Sequence, residues 1–104
     1  MVSDYLLLRR ILWYGTSIAK QLNFRSQFDL SYEPWLKQFL IRMMNSISVT
    51  SGTLSHEYTE KHAEVDWVSL GQLSEISLET PEQDIWEAAT VTVPGLMAQL
   101  EQIR

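Results

Sequence analysis

Seven apolar side chains between Trp35 and Ile47 constrain this chain more than anything else in it. Trp35, Leu36, Phe39, Leu40, Met43, Met44 and Ile47 recur at i, i+1, i+4, i+5 and i+8, the rhythm of a helix with one broad apolar face. Lys37, Gln38, Arg42 and Asn45 take the opposite side. Pro34 suits the first helical position, because the N–H it lacks would have no intrahelical partner there. A face this wide has to be covered, by other segments of the chain or by a partner.

One cover lies upstream. Ser3 is a suitable N-cap and Asp4 a favourable first-turn charge for a helix running to about Asn23. Leu7, Ile11, Tyr14, Ile18 and Leu22 step along one side of it, and Tyr5, Leu8, Leu12 and Ala19 widen the stripe. Arg9, Arg10, Ser17, Lys20 and Gln21 mark the polar side. Two heptads fall short of a coiled coil, so an amphipathic core helix is the reading. The polar connection from Phe24 to Ser31 is short enough for the two helices to pack antiparallel.

After Met44 the texture changes. Ile47 and Val49 alternate with Ser46, Ser48 and Thr50 at strand period, and Ser51-Gly52 is a turn signal, which predicts a short β-hairpin pairing Val49 with Leu54 and Ile47 with His56. A polar helix from Ser55 to Glu64, capped by Ser55, is the competing expectation. Ala63, Val65 and Trp67 read as a third strand or the end of that helix, and Val68 to Glu79 as a loop with one helical turn. Thr80-Pro81-Glu82-Gln83 has the form of an N-cap, a first-position proline and a capping-box glutamine. Ile85, Ala89, Val93, Leu96, Leu100 and Ile103 continue in helical register, but Pro94 interrupts them, so two helices are predicted, about 81–91 and 94–103. The expected fold is mainly α: one helical domain over 1–104, a small bundle of three to four helices with a short β-hairpin after the second.

At 104 residues the chain can bury one core, and its hydrophobic fraction of 45% and charged fraction of 20% are those of a globular protein. No cysteine is present, which removes disulfides, thiolate metal sites and cysteine nucleophiles. The run L-L-L-R-R-I-L-W-Y is a poor export signal, since Asp4 precedes it and Arg9 and Arg10 split it, and no apolar stretch is long enough to span a bilayer. The expectation is a cytoplasmic protein with no membrane partner. Charge divides unevenly: residues 1–45 carry six Lys or Arg against three acids, and residues 46–104 two against ten.

Candidate chemistry is thin. His56-Glu57-Tyr58-Thr59-Glu60-Lys61-His62 superficially resembles a zinc-hydrolase helix, but such sites need two histidines four apart on one face, and here the spacing is six. A metal-dependent enzyme using His56 and His62 is therefore the third reading. No serine lies in a nucleophile motif and no glycine run forms a phosphate loop, so no catalytic residue, cofactor or metal is assigned. Arg9, Arg10, Lys20 and Arg25, with Trp13 or Tyr14 to stack a base, make a nucleic-acid-associated regulator the second reading. The first follows from eleven aromatic residues in so short a chain, alongside a Met pair. Trp35, Phe39, Met43, Met44, Trp13 and Tyr14 suit a docking surface, because aromatic and Met side chains are enriched where proteins meet. That reading is a non-catalytic protein–protein interaction module, a regulatory adaptor or accessory subunit, whose partner is another protein or a second copy in a homodimer.

Overall fold

Ser3 Oγ accepts a hydrogen bond from the Leu6 amide and Asp4 occupies the first turn, so α1 (Asp4–Leu22) begins with its leading N–H groups and its dipole both satisfied. The computed structural model describes residues 3–104. After Asn23 the chain turns sharply through Phe24, which takes a left-handed φ of 65° and stands free in solvent. Asp29 accepts from the Ser26 amide and opens the one-turn helix α2 (Asp29–Tyr32). Pro34 then starts α3 (Pro34–Gly52) as its spacing predicts.

α3 runs through the residues expected to form the hairpin, and no strand occurs among the described residues. The fate of the side chains shows why helical period prevails. Ile47 is 0% exposed and Val49 is 64% exposed, whereas a strand would have put both on one face. Leu36, Leu40, Met44, Ile47, Ser48 and Ser51 are all buried, at the three- and four-residue spacing of a helix. The hydroxyls that looked strand-like instead donate to carbonyls: Ser46 to Arg42, Ser51 to Ser48 and Thr53 to Thr50. An isolated two-stranded hairpin is marginal in any case, and nothing here would back it.

The bundle size also needs correction. Beyond α3 the chain breaks into short pieces, because caps restart the helix where apolar periodicity is weak. Ser55 caps α4 (His56–Lys61) by accepting from the Tyr58 amide, which is the competing expectation for this segment, ending three residues before Glu64. Asp66 caps α5 (Trp67–Gln72), accepting from the Ser69 amide and hydroxyl, and a 3-10 turn follows at Leu73–Glu75. The next helix, α6 (Glu82–Glu87), has Pro81 at its cap, while Thr80 Oγ1 accepts from Ser77 in the preceding turn. The capping box predicted at Thr80 is therefore not formed. Two separate helices are expected around Pro94, but α6 and α7 (Val93–Ile103) run on without a break through a π turn at Ala88–Thr92. Proline at 94 cannot donate to the Thr90 carbonyl and crowds it, and a widened turn relieves both faults without ending the helix.

Around this frame the core is aliphatic. Leu7, Leu8, Ile11, Leu12 and Ile18 of α1 meet Leu36, Leu40, Met44 and Ile47 of α3, and Ile85, Ala89, Val93, Leu96 and Leu100 close the third side. Where α1 meets α7, Gly15 is buried, and a Cβ there would fall on Met97 Sδ and lie 2.5 Å from Cγ. Glycine is what lets the two helices approach so closely. Two polar ties hold the short segments against α3. Asn45 Nδ2 donates to the Leu73 and Ile76 carbonyls at 2.9 and 3.2 Å, and Ser48 Oγ donates to the Gly71 carbonyl at 2.8 Å. A third tie crosses the fold, Asp4 accepting from both the amide and the hydroxyl of Ser55. No described helix is long and apolar enough to cross a membrane.

Candidate docking groove

The residues expected to form a docking face separate in space. Met44 is fully buried and belongs to the chain's own core, while Phe39 and Met43 lie half-buried against it. Trp35 is 49% exposed, but the Arg25 guanidinium lies over its ring at 5.1 Å and is itself ion-paired to Glu33. The aromatic face of α3 is thus largely used internally. Trp13, 63% exposed, is different: it packs edge-on against Tyr14 at 5.6 Å and leaves most of its indole in solvent.

Tyr14 forms one wall of a groove of about 670 Å³ over the outer side of α3, lined there by Gln38, Ile41, Arg42, Asn45, Ser46, Val49 and Thr50, with Leu78 contributed by the segment before α6. Asn45 and Ser48 shape it from beneath, since their hydrogen bonds fix the 71–76 segment that leads into Leu78. A second depression, of about 600 Å³, shares Tyr14 in its lining and is otherwise lined by Leu6, Arg9, Arg10 and Trp13. Leu6, Trp13, Val49 and Leu78 are each more than half exposed, Leu6 and Trp13 in the second depression and Val49 and Leu78 in the first, with Tyr14 lining both.

No histidine or carboxylate lines either depression. The carboxyls held below their usual range lie elsewhere: Asp4, lowered by hydrogen bonds from the Ser55 side chain and amide, and Asp66, lowered likewise by Ser69. Tyr58 is raised, by burial and then by the Asp4 charge. These shifts mark caps and ties, and the groove holds no pair poised to exchange protons.

The alternatives fare as follows. Arg9 and Arg10 flank Trp13, but Lys20 stands apart near the end of α1 and Arg25 is engaged by Glu33, so the proposed basic set is divided. His56 pairs with Glu60 at 2.8 Å, and His62 approaches Glu64 at 3.3 Å and packs on Tyr58. Among the described residues no group of three His, Cys, Asp or Glu side chains could hold a metal ion.

Comparison with protein-family models, with curated proteins and with solved structures finds no match. The groove is therefore read from its own geometry. Of the residues lining the two depressions, Trp13 and Tyr14 are among those expected from the sequence to form a docking surface, and Ile41, Val49 and Leu78 are not. A signal for the first two exists: Ile41 and Val49 stand eight apart with Asn45 between, a second helical stripe on the side otherwise called polar. Nothing local marks Leu78, whose place depends on contacts with α3 far along the chain.

Proposed function

We propose that the protein is a non-catalytic protein–protein interaction module, a regulatory adaptor or accessory subunit, that docks a partner along the two depressions sharing Tyr14, used together as one hollow. The observation that carries this reading is the placing of Leu6, Trp13, Val49 and Leu78, all largely exposed, in two depressions that share Tyr14 and are lined by no histidine or carboxylate. Exposed aromatic and aliphatic side chains gathered this way supply the buried anchors on which protein association depends. Two-fold self-association through this face would bring together two surfaces that each carry Arg9, Arg10 and Arg42 and no lining carboxylate, so another protein is the favoured partner. The lack of cysteine suits a cytoplasmic setting.

A second reading, a nucleic-acid-associated regulator, draws on Arg9 and Arg10 beside Trp13. Ile41, Val49 and Leu78 weigh against it, since aliphatic side chains do little for phosphates or bases. The test is to identify a protein that co-purifies with the native chain, produce it recombinantly and measure rebinding. Trp13→Ser and Val49→Ser should weaken the complex with no loss of thermal stability, and unchanged binding by both variants would refute docking at this face.

A further inference from the structure

We infer that the hollow receives an acidic amphipathic helix from another protein. This rests on the docking reading above and adds the chemistry of the occupant. The chain uses its five arginines in two ways. Arg25 is bonded to Glu33 and Arg104 to Glu101, whereas Arg9, Arg10 and Arg42 make no ion pair among the described residues. Those three line the two depressions that share Tyr14, and no carboxylate lines either one. The carboxylate just beyond, Glu101, lies near Arg9 and Trp13 and is engaged by Arg104. In a chain of net charge −5, three guanidiniums without an ion pair among the described residues, that of Arg9 lying over the Tyr5 ring at 5.9 Å, stand beside these apolar side chains and leave positive charge for a partner's carboxylates to meet.

Shape narrows the class further. Leu6 to Tyr14 covers about 12 Å along α1 and Gln38 to Thr50 about 18 Å along α3, the reach of a helix of three to four turns. Such a helix would set apolar residues on Trp13, Val49 and Leu78 and carboxylates at the rim, where each guanidinium can receive both oxygens. A nucleic acid would satisfy the arginines but strand the aliphatic side chains, and a second copy would bring no lining carboxylate to meet them.

The experiment uses the full chain and three fluorescent peptides of about 16 residues, each a helix of about 24 Å. All share one leucine face; their polar positions carry glutamate, glutamine or lysine. By fluorescence anisotropy the glutamate peptide should bind about tenfold or more tighter than the glutamine peptide, with lysine weakest. Arg9→Glu and Arg42→Glu should erase that preference, and Val49→Ser should weaken the glutamate and glutamine peptides alike. Unchanged melting of each variant shows that the fold survives.

Equal binding of the glutamate and glutamine peptides, or none by the glutamate peptide up to about 1 mM, overturns the inference. So does tighter binding of a single-stranded RNA or duplex DNA oligonucleotide, or a dimer by light scattering that Val49→Ser dissociates. If the peptides bind equally and Val49→Ser still weakens both, docking stands and only the acidic occupant falls. If Val49→Ser and Trp13→Ser change nothing, docking at this face falls as well.

Discussion

Replacing Gly15 with alanine tests how α1 and α7 cross. Inside a helix alanine is ordinarily favoured over glycine by about 1 kcal/mol. Gly15 lies mid-way along α1 with no positive φ, so the backbone offers no objection. The obstacle is Met97, whose Sδ the new Cβ would overlap and whose Cγ would lie 2.5 Å away. These are mid-chain atoms of a side chain packed against the core, so relief requires another Met97 rotamer or a shift of α7. Overpacking of this kind costs about 1–3 kcal/mol, which leaves Gly15→Ala destabilising by about 1 kcal/mol net.

The third atom near the new Cβ is Met97 Cε, at 3.6 Å, so one side chain accounts for the whole obstruction. In a Met97→Ala background, Gly15→Ala should therefore change sign and stabilise by about 1 kcal/mol, a coupling of about 2 kcal/mol across the cycle. Urea unfolding of the four proteins, followed by helical circular dichroism, measures it. Alanine stabilising equally in both backgrounds would refute the crossing.

Three further outcomes are expected. Met44→Ala should lower stability by about 2–5 kcal/mol, whereas Trp13→Ala should change it by less than about 0.5 kcal/mol; equal losses in denaturant midpoint would place Trp13 in the core. Asn45→Leu should cost about 1–3 kcal/mol by leaving the Leu73 and Ile76 carbonyls without their donor, and should speed amide exchange in residues 71–76; unaltered exchange would count against the tie. Asp4 has its folded carboxyl held below its ordinary 3.8, so its contribution is complete above that value and is lost as pH falls through the lower folded value. Asp4→Asn should consequently flatten the acid limb of the stability profile, and parallel limbs for wild type and variant would show that the Ser55 tie is not formed.

How far the sequence could be read depends on the range of the forces concerned. The caps at Ser3 and Ser55 were legible because each acts within three residues, and Pro34 and the stripe from Leu36 to Ile47 were legible because helical period is local. The hairpin at 46–58 was not to be trusted, since Ile47 and Val49 fit strand alternation and helical turns alike over so short a run. Thr80 misled for a related reason: its hydroxyl can cap a helix ahead or a turn behind, and here it serves Ser77.

By itself the sequence determined that the chain is mainly helical, where α1 and α3 begin, and that Pro94 must disturb the last helix. Tertiary structure alone decided which apolar residues of α3 became interior, turning Met44 inward and leaving Ile41 and Val49 to line a groove with Tyr14 and Leu78. Helix formation is settled among neighbours a turn apart. Burial is settled by whatever the rest of the chain brings against a surface, and for α3 that meant carbonyls more than twenty residues away, held by Asn45 and Ser48.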